Sequence, residues 1–196
     1  MRIDKYKKKK ENIWNLPNTL TFSRVILTFV IMYLIFLETD VRIIAFVFII
    51  AMVTDFFDGQ IARRFNRTTE FGRKFDMISD RVLMFGTILA VLIEFGSNGY
   101  FDKYDFLQIF LIMSREIVTF PFAFIVMTAG KGIPKARFIG KLTTFMQGVS
   151  FPAIILGAFY HIFSFSIYLS IATGVIGVIS AITYIKDAQE LGIQDK

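Results

Sequence analysis

Residues 41–80 read VRIIAFVFIIAMVTDFFDGQIARRFNRTTEFGRKFDMISD. An apolar run, Val41–Phe57, leads straight into two carboxylates, Asp55 and Asp58, and a second pair, Asp76 and Asp80, follows. Spacings of three and four put each pair on one face of a helix, with Cβ atoms roughly 5–6 Å apart. Carboxylates beside lipid are costly, on the order of 2.5–3.5 kcal/mol each at mid-bilayer. Four of them close together also repel, which drives protonation unless a cation is near. Oxygen-only ligation favours a hard ion, Mg²⁺, Mn²⁺ or Ca²⁺, over Zn²⁺. With no Cys and a single His, a soft or imidazole-rich metal site is excluded.

Outward from that stretch the chain stays apolar. Of 196 residues, 55% are hydrophobic and 24 are Phe. That is too apolar for a domain with a wet surface, and the length suits one domain. The expected fold is all-α, a polytopic membrane protein with six transmembrane helices and an amino-terminal interfacial segment. The apolar segments lie near Leu20–Leu37, Val41–Phe57, Val82–Phe95, Phe106–Met127, Leu142–Phe163 and Phe165–Ile185. The third is short unless its helix begins near Gly72, and the second should run past Asp58 toward Arg63. The division is therefore a basic juxtamembrane segment, 1–18, and a six-helix domain, 19–196. No cleavable signal peptide is expected, because the first eighteen residues are polar and basic.

The net charge of +6 clusters at the ends of apolar segments, which suits a lipid surface better than nucleic acid. Segment 1–15 carries Arg2, Lys5 and Lys7 to Lys10 with Trp14, a pattern for anionic headgroups. With both termini in the cytoplasm, the translocated loops and their flanks hold only Arg42 and Lys103 as basic residues. Lys131, Lys135, Arg137 and Lys141 then fall on the cytoplasmic side of the cell membrane, with the acid site.

The spacing Asp-x₂-Asp-Gly-x₂-Ala-Arg-x₈-Gly-x₃-Asp-x₃-Asp, from Asp55 to Asp80, resembles the signature of the CDP-alcohol phosphatidyltransferase family at every position. The resemblance implies transfer of a phosphatidyl group from CDP-diacylglycerol to an alcohol, releasing CMP. It implies Mg²⁺ or Mn²⁺, as two ions, on Asp55, Asp58, Asp76 and Asp80, with Asp80 also the general base. It implies a CDP-lipid cradle of Asp58, Gly59, Ala62, Arg63 and Gly72, and a homodimer. The residue types suit this chemistry independently. Pyrophosphate needs a cation between it and the acids, phosphoryl transfer needs charge stabilisation, and one carboxylate must take the hydroxyl proton.

Three shorter stretches bear on the acceptor. Leu16-Pro17-Asn18 with Leu20, Thr21 and Arg24, then Ser114-Arg115-Glu116-Ile117, then Gly140-Lys141-Leu142-Thr143 resemble phosphatidylglycerolphosphate synthases, a branch of that family. They imply glycerol 3-phosphate as acceptor, with Arg115, Lys135, Arg137 and Lys141 on its phosphate. Arg115 lies mid-span and should face a water-filled cavity. The competing role is a structural pair with Glu116. Inositol phosphate would suit similar charges, and an ether-lipid donor is equally compatible. A reading of another class is a cation transporter using the four acids. Against it, the acids sit at one end of their spans, with no second acid cluster opposite.

Overall fold

The computed structural model describes residues 16–64, 70–128, 138–160 and 165–194. Within these, the side chains of residues 55–64, 70, 71, 73, 74 and 77, among others, are not described. The described residues form six α-helices: α1 Leu16–Phe36, α2 Val41–Arg64, α3 Glu70–Ser97, α4 Lys103–Thr128, α5 Phe138–Tyr160 and α6 Ser166–Gln194. The helix starts and stops follow local chemistry. Asp40 caps α2 by accepting from the Arg42 backbone N–H at 2.9 Å. Asp102 and Asp105 form a reciprocal capping box at α4: Asp102 Oδ1 accepts from the Tyr104 and Asp105 N–H groups, and the Asp102 N–H donates to Asp105 Oδ2.

Helices α1 and α3 end in the same way. Thr39 N–H reaches Leu34 O and Tyr100 N–H reaches Phe95 O, each closed by a residue with positive φ. At α3 that residue is Gly99, with φ 77°; at α1 it is Glu38, with φ 50°. The expected extensions are present: α2 runs beyond Asp58 to Arg64, and α3 starts at Glu70, ahead of Gly72. Helix α5 begins four residues before its expected apolar start at Leu142, and α6 continues past Ile185 to Gln194. Strong helix formers such as Lys, Ala, Gln and Glu extend α6 beyond its apolar stretch. The basic segment 1–15, Lys131, Lys135, Arg137 and His161 lie outside the described residues.

Helix α1 packs on α2 and α3, α2 also on α5, and α4, α5 and α6 pack together. The core is apolar: Phe48 of α2 meets Phe151 of α5 with ring centroids 4.7 Å apart, and Ile31, Ile44, Leu83, Ile112 and Ile154 fill around them. The outer faces are apolar too. Phe46 is 64% exposed, Phe110 61% and Val175 56%. Helices hydrophobic on all sides belong in lipid. Three stretches, Lys103–Ile125, Phe138–Tyr160 and Ser166–Gln189, are long and apolar enough to cross a membrane, and Thr21–Phe36 and Val41–Thr54 are shorter apolar stretches. The acids of α2 and α3 shorten the apolar part of both helices. Pro121 and Pro152 sit inside α4 and α5, where neighbouring helices make such residues tolerable.

The end opposite the acids ties the start of α2 to the ends of α3 and α5. Arg42 pairs with Asp40 at 2.6 Å and stands 5.4 Å over the Tyr160 ring, whose hydroxyl donates to Asp40 at 3.1 Å. Tyr100 stacks on Phe159 at 4.7 Å, and Phe95 meets Phe159 edge-on at 4.9 Å. The Arg42 side-chain and backbone donors hold the Asp40 carboxyl well below the usual carboxylate range. This clasp therefore keeps its charge at neutral and mildly acid pH.

Candidate active site

Asp76 and Asp80 share one face of α3, as their spacing of four requires. A single nitrogen, Arg24 Nη1 of α1, donates to Asp76 Oδ1 at 3.1 Å and to Asp80 Oδ1 at 2.5 Å. Arg24 is fully buried, while the two carboxylate side chains remain 46% and 39% exposed. Hard oxygen donors thus converge at a surface water can reach, which fits a divalent cation. Asp55, Asp58, Gly59, Ala62 and Arg63 lie on the last turns of α2; their side chains are outside the described residues. Among the described residues no group of three or more acids or histidines converges. Gly72 lies on the first turn of α3 and is partly buried.

A second polar cluster lies in the seam of α4, α5 and α6. Arg115 Nη1 donates to Glu116 Oε1 at 3.0 Å and to Thr144 Oγ1 at 3.3 Å. Glu116 in turn accepts from Gln147 Nε2, which also donates to Ile112 O at 2.7 Å. Two glycines make room for Ser114 and Arg115, Gly140 at the guanidinium and Gly177 at the base of the side chain. A Cβ on Gly140 would stand 3.3 Å from Arg115 Nη2; one on Gly177 would stand 3.2 Å from Ser114 Oγ and 3.3 Å from Arg115 Cβ. The Ser114-Arg115-Glu116 and Gly140-Lys141-Leu142-Thr143 stretches, 24 residues apart in sequence from Glu116 to Gly140, are therefore in contact. Lys141, in the first turn of α5, is exposed.

Of the two expected roles of Arg115, the pair with Glu116 is present. Arg115 Nε is buried without a hydrogen-bond partner among the described residues. Ser114 Oγ and Tyr184 OH share that condition. Buried polar atoms are normally satisfied, and these three lie together on the α4 and α6 side of one seam.

Sequence reasoning missed Arg24, Arg81, Thr144 and Tyr184 as site residues. Arg81 follows Asp80 directly and stands 5.9 Å over the Phe120 ring. It lies within electrostatic range of Tyr184, Arg115, Glu116 and Asp80, so it links the carboxylates to the cationic seam. A usable signal existed for Arg24: it is the single charged residue between Thr21 and Phe36. Such a residue in an apolar helix marks function or a buried partner.

Comparison with known proteins identifies the family. Residues 14–183 match the CDP-alcohol phosphatidyltransferase family. The chain is 34% identical over 160 residues to a Rickettsia prowazekii protein named CDP-diacylglycerol–glycerol-3-phosphate 3-phosphatidyltransferase, covering 81% of this chain and 79% of that one. Relatives of the same name from Aquifex aeolicus and Salmonella typhimurium are 30% and 32% identical. The first pairing covers 86% of this chain and 88% of the relative; the second covers 70% and 74%. With the motif intact from Asp55 to Asp80 and a match across nearly all six helices, the chain belongs to the CDP-alcohol phosphatidyltransferase family.

Proposed function

We propose that the protein transfers the phosphatidyl group of CDP-diacylglycerol to glycerol 3-phosphate, giving phosphatidylglycerol phosphate and CMP in phospholipid synthesis. The observation that carries the acceptor is the seam around Arg115, where its buried Nε, Ser114 Oγ and Tyr184 OH have no partners among the described residues. The relatives' names support the same acceptor. Asp55, Asp58, Asp76 and Asp80 would hold Mg²⁺ or Mn²⁺, which supplies charge neutralisation at the pyrophosphate. Gly59, Ala62, Arg63 and Gly72 would border the CDP moiety.

Asp80 accepts the proton of the attacking glycerol hydroxyl as its oxygen bonds to the lipid-bearing phosphorus. The bond from that phosphorus to the CMP oxygen breaks, and CMP leaves. Arg115, with Lys141 and with Lys135 or Arg137, holds the acceptor phosphate. A second anion needs its own cations, because the acids already serve the pyrophosphate. Arg offers a planar fork for phosphate, while Lys acts as a point charge.

The test is CMP release from CDP-diacylglycerol across a panel of acceptors. Release should require glycerol 3-phosphate, and preference for inositol phosphate would overturn the acceptor. Arg115→Lys keeps the charge beside Glu116 but loses the fork. It should weaken glycerol 3-phosphate about 10- to 150-fold, the equivalent of roughly 1.5–3 kcal/mol, with little change for CDP-diacylglycerol. Equal weakening of both substrates would assign Arg115 to the Glu116 pair alone.

All six helices are read as spans, with both termini and the acid site on the cytoplasmic side. Only the basic-residue bias supports that orientation. A carboxy-terminal tag on inside-out vesicles should be digested by added protease; protection would reverse the topology.

A further inference from the structure

Arg24 stands at the centre of the site without a role in the assignments above. Its partners explain its burial. An arginine within an apolar helix requires counter-charge, and both α3 carboxylates reach its Nη1. The dependence is mutual. Two carboxylates four residues apart repel, and one guanidinium nitrogen bonded to both offsets that repulsion. The backbone around Arg24 is held as well. Thr28 Oγ1 donates to Arg24 O at 2.9 Å. A Cβ on Gly86 of α3 would stand 3.3 Å from Met32 Sδ and 3.5 Å from Thr28 Cγ2, so α1 and α3 approach closely there. On their other side the carboxylates are open, at 46% and 39% exposure.

We propose that Arg24 is the resident counter-ion of the Asp76–Asp80 pair, a positioning residue that orients both carboxylates and yields one of their oxygens to an incoming divalent cation. This rests on the reading of these aspartates as metal ligands. Guanidinium and cation are drawn to the same Oδ1 atoms, so they compete. Removing the guanidinium charge should tighten cation binding. Loss of an ordinary supporting hydrogen bond does the reverse, weakening metal sites by about 10–100-fold. The direction of the change thus separates the two roles.

The experiment uses the purified full chain without substrate. Mn²⁺ affinity is followed by the paramagnetic resonance of unbound Mn²⁺, and thermal unfolding is recorded in EDTA and in Mn²⁺. Arg24→Met should bind Mn²⁺ at least about tenfold more tightly, from loss of one nearby positive charge. Its unfolding temperature should fall in EDTA and recover in Mn²⁺ more than the wild type does. Turnover should drop despite the tighter ion, because Asp80 loses the donor that orients it. Arg24→Lys, which keeps the charge, should restore wild-type Mn²⁺ affinity. Should Arg24→Met fail to accumulate, Arg24→Gln carries the same test. Unchanged or weaker Mn²⁺ binding, or equal loss of stability with and without Mn²⁺, would overturn the proposal. A wild type that binds no Mn²⁺ would overturn the metal reading and this proposal with it.

Discussion

Asp80→Asn is expected to lose turnover by about 10²–10⁴-fold, the usual contribution of a positioned general base. The substitution preserves shape and leaves an amide oxygen to accept from Arg24, whose bond to Asp76 Oδ1 is untouched. The fold and the α1–α3 contact should therefore survive. CDP-diacylglycerol binding should survive as well, since the cradle residues on α2 are unchanged. The measurement pairs the initial rate of CMP release with equilibrium binding of the CDP-lipid. Turnover near the wild-type rate would remove Asp80 from proton transfer. Loss of binding and turnover together would make it a ligand first and a base second.

Chelation should produce a loss of similar size. The pyrophosphate cannot approach Asp76 and Asp80, both open to solvent, without opposing charge. Cation stabilisation of a phosphoryl transition state supplies several kcal/mol, or roughly 10²–10³-fold in rate. Excess EDTA should abolish CMP release, and added Mg²⁺ or Mn²⁺ should restore it. Full activity in EDTA would overturn the metal assignment for all four aspartates. Arg24 could then be the permanent partner of the pair.

Much of the architecture was legible because lipid imposes simple rules on a chain. Long apolar runs marked the helices, and the shortness of the third run indicated that α3 would begin ahead of its acids, as α2 was expected to run past Asp58; both do. Gly99, at the end of α3, has the residue type that suits the left-handed region. Glu38 did not announce the end of α1, since an ordinary residue in the left-handed region has no local signature. The motif aspartates could be recognised by spacing alone. Arg24 could not be paired in the same way: that α3 carries partners for it depends on which helices pack against its face of α1. The contact of Arg115 with Gly140 and Thr144 was hidden for the same reason, as it joins two helices through the space left by missing side chains. Arg81 stayed unnoticed because a basic residue beside Asp80 reads as an ordinary charge neighbour until Phe120 and the α4–α6 seam close around it.

The clasp of Asp40, Arg42 and Tyr160, reinforced by Phe95, Tyr100 and Phe159, has a mechanical corollary. It joins the start of α2, the end of α3 and the end of α5 at the pole farthest from Asp76. Rods bound at one pole splay from the other, as the legs of a compass do. Helix α3, at 28 residues, is about 42 Å long. A tilt of about 5° around the bound pole carries its far end through roughly 4 Å, about two-thirds of one helical turn. Small angular play at the clasp would thus become larger travel at the end that carries Asp76 and Asp80, while the fulcrum itself would hardly move.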